Sequence, residues 1–229
     1  MSRSTSIIVS LFLLAAASAM SGCEKSDPIA VTADEAVVGG GDMSVEKIIA
    51  STGSQPVDDL ETAGLVTMRE EEKVAHDVYI ALFARWQSPV FANIAASEQR
   101  HMDAILALLR RYSIVDPVGS NNVGVFTDPA MQHLYETLVV QGSVSLADAY
   151  AVGAMIEDLD IADLHRHLGE TDNTDITRVY QNLERGSRNH MRAFVSSLAS
   201  SGMSYTPQYI SQEEFDAIIA SGTERGRPW

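Results

Sequence analysis

Residues 91–109 read FANIAASEQRHMDAILALL. Phe91, Ile94, Met102, Ile105, Leu108 and Leu109 recur at helical spacing and form one apolar stripe. Glu98 and His101 interrupt the middle of that stripe, three residues apart, so their side chains lie one turn apart on the same face. A core-facing stripe should be apolar, because an unpaired carboxylate removed from water costs several kcal/mol or is forced neutral. The pair therefore predicts that this helix buries something other than hydrocarbon.

The pattern repeats on three further helices. The first, expected over Thr62–Trp86, carries Leu65, Met68, Ala75, Tyr79, Leu82, Phe83 and Trp86 on one face, with Glu72 at the centre. Glu71 is the nearest rival to Glu72, and Glu70 rotates away. The helix containing Glu98 opens at Pro89, favourable in a first turn, and reaches Tyr112. A third begins after a Ser145 cap and runs to Leu168, before Gly169. Its face holds Leu146, Tyr150, Gly153, Ala154, Ile161, Leu164 and Leu168, with Glu157 and Asp160 among them. The fourth starts at Thr174 or Asp175 and ends near Gly202; Val179, Leu183, Gly186, Ser187, Phe194 and Leu198 share their face with His190.

Between the two pairs lies a loop with Asp116-Pro117, Gly119 and Gly124, then a short helix from Pro129, capped by Asp128, to Gly142. Pro207 precedes a short terminal helix over Gln212–Ser221. No segment alternates with period two between turn residues. The fold class is all-α: a ferritin-like four-helix bundle whose long crossover carries a short extra helix, with a short C-terminal helix added. The helical domain is expected over 59–222, with 223–229 as a tail.

Ionisable groups near the midpoint of every buried stripe call for cations. Glu72, Glu98, Glu157 and Asp160 supply four negative charges, which two divalent ions balance, and His101 and His190 supply neutral nitrogen donors. Oxygen-rich donors with some imidazole suit iron or manganese better than zinc. Di-iron bundles take one Glu from each of two helices and a Glu-x-x-His from each of the other two. This sequence departs from that template at Ser187, and Asp160 is the carboxylate that can make good the loss. Tyr79, one turn beyond Glu72, and Ser187 are expected beside the ligands, Tyr79 as a core aromatic with its hydroxyl on a carboxylate. The bland reading pairs each acid with Arg69, Arg100, Arg178 or Arg188. His165 and His167 fall where a cation offsets a helix dipole, and His133 is expected to be exposed. The run Glu70-Glu71-Glu72-Lys73 is expected to be partly a solvated face.

The segments MREEEKVAHDVY (68–79), NIAASEQRHMDAI (93–105), VGAMIEDLDIADL (152–164) and NLERGSRNHMRAF (182–194) resemble a prokaryotic ferritin-like family catalogued as a domain of unknown function. The resemblance covers roughly residues 60–220, with four motifs in order. It implies a ferritin- or rubrerythrin-like bundle with a di-metal centre and supplies no established reaction. His76, one turn after Glu72, stands where the family leads one to expect a basic residue, which leaves a histidine ligand there open.

Composition sets the surroundings. The chain is 45% hydrophobic and 21% charged, ordinary for a globular protein, and its net charge of −15 argues against a nucleic-acid partner. Arg3 precedes the apolar run IIVSLFLLAAASA (7–19), the length of a signal-peptide core and too short to span a bilayer. Met20-Ser21-Gly22-Cys23 then resembles a bacterial lipobox, which makes residues 1–22 a signal peptide and Cys23, the only cysteine, the lipidation site. An ordinary secretory signal cut near Ala19 is the alternative. Residues 23–58, rich in acids, Gly, Ser and Thr, read as a flexible tether. The expectation is an exported lipoprotein, held on a membrane by its N-terminal lipid and facing the periplasm or the cell exterior. It would carry two ions of iron or manganese for iron oxidation or O₂ and peroxide handling. Fe²⁺ or a small oxidant would be the substrate, and a homodimer is an open assembly. The alternative is a helical binding module, stabilised by metal or metal-free, without catalysis.

Overall fold

The computed structural model describes residues 55–225; the signal segment, Cys23, residues 24–54 of the expected tether and residues 226–229 lie outside the described residues. Six helices follow in order: α1 (Asp59–Trp86), α2 (Pro89–Arg111), α3 (Pro129–Gly142), α4 (Leu146–Glu170), α5 (Thr174–Ser200) and α6 (Gln212–Ala220). Among the described residues there is no strand. No helix among them is long and apolar enough to cross a membrane.

Local chemistry sets the ends. Asp58 accepts from Glu61 N at 2.8 Å while the Glu61 carboxylate accepts from Asp58 N at 3.0 Å. This reciprocal cap starts α1 three residues before the expected Thr62. Asp128, Ser145 and Ser211 cap α3, α4 and α6 through their side chains. Helix α4 runs through Gly169 to Glu170 instead of stopping at Leu168. Its end is fixed by Thr171 and Asn173, which both donate to the buried Glu61 carboxylate.

Helix α1 packs on α2 and α4, and α5 packs on α4 and α2, so the four long helices form a bundle; α3 lies across α1 and α4, and α6 against α5. Two hydrocarbon clusters fill it. One gathers Val78, Tyr79, Leu82, Phe91, Ala154 and Phe194; the other gathers Leu65, Met68, Ile105, Leu108, Leu164 and Leu183. Each large side chain fully buried there contributes roughly 1.5–3 kcal/mol. On every long helix the ionisable residue falls between the two clusters, so the acids and histidines form a polar layer inside an otherwise dry bundle.

The outer face of α1 is covered by the crossover. Arg69 donates to both oxygens of Asp116, at 3.0 and 3.2 Å, and to Met102 O at 2.9 Å. Lys73 bonds Asp77 and, at 3.0 Å, Asn122 O, and lies 4.3 Å from the Phe126 ring centre. Asp77 accepts from Gly124 N at 2.8 Å. The partly solvated face expected there is corrected accordingly: Glu70 and Lys73 are buried because the crossover folds down over them, whereas Glu72 is buried on the opposite side, facing the bundle interior.

The C-terminal segment is pinned in the same way. The fully buried Asp158 accepts from Tyr205 OH and from the backbone N–H groups of Gln208, Tyr209 and Ile210. Glu224 pairs with Arg188 and Arg192 on α5. At the other end Gln55 N donates to Asn173, and Val57 packs against the second cluster.

Candidate metal centre

The stripe on α2 projects Glu98 and His101 inward, that on α1 projects Glu72, that on α4 Glu157, and that on α5 His190. All five are at most 8% exposed. His101 Nδ1 lies 2.7 Å from Glu98 Oε2 and 3.2 Å from Glu72 Oε2. His190 Nδ1 lies 2.8 Å from Glu98 Oε1 and 3.4 Å from Glu157 Oε2. Two triads result, Glu72–Glu98–His101 and Glu98–Glu157–His190, each with one donor atom per residue within 4.8 Å of the others. Glu98 belongs to both, one oxygen to each, which is the position of a bridging carboxylate. The imidazole rings stack with centroids 5.5 Å apart.

Glycine makes room for this. A β-carbon at Gly186 would stand 2.6 Å from His101 Nε2, so α5 can pass the imidazole only as glycine. At Gly153 the same holds for the Phe194 ring, also at 2.6 Å. Tyr79 donates from its buried hydroxyl to Glu157 Oε1 and so fixes that carboxylate from outside the triad.

Three atoms of the cluster, Glu72 Oε1, Glu98 Oε1 and His190 Nδ1, make no aligned hydrogen bond although all are buried. The last two approach to 2.8 Å as an ion-pair distance without the angle that a hydrogen bond needs. A buried unsatisfied polar atom costs about 1–3 kcal/mol. His101 Nδ1 bonds Glu72 Oε2, yet these three atoms remain over, as donors left available to a cation would.

The arginines do not neutralise these acids. Arg69 is committed to Asp116, Arg188 to Glu184 and Glu224, and Arg100 to Ala96 O. Among the described residues, the only ion-pair partners of Glu72, Glu98 and Glu157 are the two histidines. Burial pushes Glu72 up to about 8 against the opposing pull of His101. Burial also raises Glu98, but His190 and His101 overcome it and hold that carboxyl far below the ordinary range. Glu157 is raised by burial. Desolvation lowers both imidazoles, yet Glu72 and Glu98 bring His101 well above its ordinary value, and Glu98 and Glu157 bring His190 up to about 10. Protons on the imidazoles would thus occupy the place that cations would take, and a metal bound there would have to displace them.

Asp160 is the expected ligand that the structure does not bring into either triad. Its carboxylate bonds Ser187, whose hydroxyl also lies 3.0 Å from Leu183 O. Burial holds Asp160 well above the ordinary carboxyl range, with Glu72 and Glu157 adding to the shift. His76 pairs with Asp77 at 2.8 Å on the crossover side, outside the triads. His133 is exposed, as expected. His165 meets Glu184 at the surface, whereas His167 is buried against Gly64, bonds Glu170 and is lowered by burial and by Arg166. A neutral packing imidazole replaces the expected helix-end cation at that position.

Sequence reading missed the buried polar groups that serve the fold, namely Glu61, Lys73, Asp77, Asp158, Asn173 and Asp175. Most of them meet loops, and no helical period reports where a loop will lie.

Residues 61–222 match the family described as Uncharacterized protein domain (DUF2202). An uncharacterized protein of Methanocaldococcus jannaschii is 55% identical over 178 residues, 78% of this chain and 96% of that protein. A crystal structure of a hypothetical protein from Methanococcus jannaschii DSM 2661 aligns at a TM-score of 0.74 with 55% identity, covering 75% of this chain and 98% of the other. With the family match spanning most of the chain and a relative this similar along nearly its whole length, the chain belongs to the DUF2202 family.

Proposed function

We propose that the protein is a ferritin-like metalloprotein whose polar layer holds two ions of iron or manganese and serves to oxidise Fe²⁺ or to handle O₂ or peroxide. The observation that carries this reading is the pair of buried triads that share Glu98. Glu72 and His101 would hold one ion, Glu157 and His190 the other, and Glu98 both. Oxygen and imidazole donors without a thiolate favour iron or manganese. Two such ions side by side supply two-electron chemistry with a small oxidant. The chain's own part is to fix the carboxylates, through Tyr79 for Glu157 and through the Gly186 approach for His101, and to keep the layer between two hydrocarbon clusters. The sequence of residues 1–23 supports export and a lipid anchor at Cys23, which would place this centre at a membrane surface facing the periplasm or the cell exterior.

The test is to load the protein anaerobically with Fe²⁺ and then admit O₂ or H₂O₂. Rapid oxidation of bound Fe²⁺, faster than that of free Fe²⁺ in the same buffer, is expected. One observation favours a second reading, a helical module without catalysis: the two imidazoles can balance the acids with protons alone. Metal binding that raises the melting temperature with no acceleration of oxidation would select it.

A further inference from the structure

A small, partly open cleft of about 30 Å³ lies between α1, α3 and α4, lined by none of the triad residues themselves. Its walls are hydrocarbon: Val74 and Ala75 from α1, Leu134 and Leu138 from α3, and Ile156 from α4. Its polar residues are Glu71 and Asp160. These two adjoin the ligands, Glu71 next to Glu72 in sequence and Asp160 one turn from Glu157. Asp160 bonds Ser187, which is 1% exposed and one turn from His190, so the polar end of the cleft lies on the side of the centre. Glu71 Oε2 is buried and without a partner.

We propose that this cleft admits a small apolar oxidant, dioxygen, to the centre, with α3 as its outer wall and Glu71 and Asp160 at its inner mouth. The proposal rests on the reading of the polar layer as a metal centre. The wall chemistry selects the traveller. A hydrated dication would shed its water against hydrocarbon at prohibitive cost, whereas an apolar diatomic molecule loses nothing there. The crossover helix acquires a role in this way. Without α3 the Val74–Ala75 face would lie open to water, and the approach to the ligands would be wet.

The test uses xenon and oxygen on the whole protein. Xenon settles in apolar cavities, so methyl NMR of the metal-free protein under xenon pressure should show shifts confined to Val74, Leu134, Leu138 and Ile156. Leu134→Phe and Ala75→Leu fill the cleft from opposite walls, so one that misfolds leaves the other in hand. Each folded variant should lose the xenon shifts and bind Fe²⁺ as the wild type does. Each should then react with O₂ with a second-order rate constant about tenfold lower. Xenon shifts elsewhere, or an unchanged rate in a filled variant that has lost them, would overturn the route. If the anaerobic titration instead finds no Fe²⁺ on the wild type, the metal reading fails at that step, and the route falls with it.

Discussion

Gly186 marks how closely the candidate ligands and the helices are fitted. The atom nearest to an added β-carbon there is Nε2 of His101, at 2.6 Å, and Cε1 follows at 2.7 Å. An imidazole held by two carboxylates on its other side has nowhere to retreat. Gly186→Ala is expected to push His101 off the Glu72–Glu98 pair and weaken metal binding about 10–100-fold, the usual range for a disturbed supporting group. Isothermal titration checks it; unchanged affinity would mean that the ring is free to move. At this scale the stripes made Glu72, Glu98, His101, Glu157 and His190 legible, because one charged residue in a buried apolar face is a local anomaly. They did not separate Asp160 from Glu157. Spacing gives the face of a helix and not how deep a side chain reaches. The short Asp160 side chain meets Ser187 on the neighbouring helix before it reaches the triads. Gly153 and Gly186, on the facing stripes, make room for Phe194 and His101 and not for Asp160.

At the scale of elements, the starts of α2, α3, α4 and α5 followed the sequence closely, and the start of α1 and the end of α4 did not. Pro89, Asp128 and Ser145 announce their helices locally. The end of α4 depends on Glu61, more than a hundred residues away, and no local signal reports that. The expectation of a partly solvated face at Glu70 and Lys73 failed for the same reason: the crossover that covers them is held by Arg69, Lys73 and Asp77. Asp77→Ala removes the carboxylate that Lys73 faces and leaves a buried ammonium with a single backbone acceptor. A broken buried pair costs about 3–5 kcal/mol. For a domain of this size that lowers the melting temperature by roughly 10 °C. Metal stoichiometry should be unchanged, since Asp77 bonds the crossover and not the triads. A melting point equal to wild type would show that the loop, not the pair, holds the crossover.

For the whole molecule, the buried layer ties stability to pH and, if the layer is the proposed centre, to metal. His190, raised from 6.5 to about 10, stabilises the fold fully below about pH 6.5 and loses that contribution as pH climbs through about 10. Glu72, raised from 4.5 to about 8, acts in the same direction, since the folded state holds a proton that the unfolded chain releases earlier. Glu98 is lowered and contributes throughout this window. The metal-free protein should therefore melt lower near about pH 9 than near about pH 6, and added Mn²⁺ should flatten the difference by replacing the protons. A metal-free melting curve that rises over the same interval would contradict this linkage.

The most direct measurement is an anaerobic titration of the full chain with Mn²⁺ or Fe²⁺, wild type beside Glu98→Gln. Because Glu98 alone belongs to both triads, the wild type should bind about two ions per chain and Glu98→Gln should lose both. No binding by the wild type, or two ions still held by Glu98→Gln, would show that the buried acids are structural and that the bridged centre does not exist.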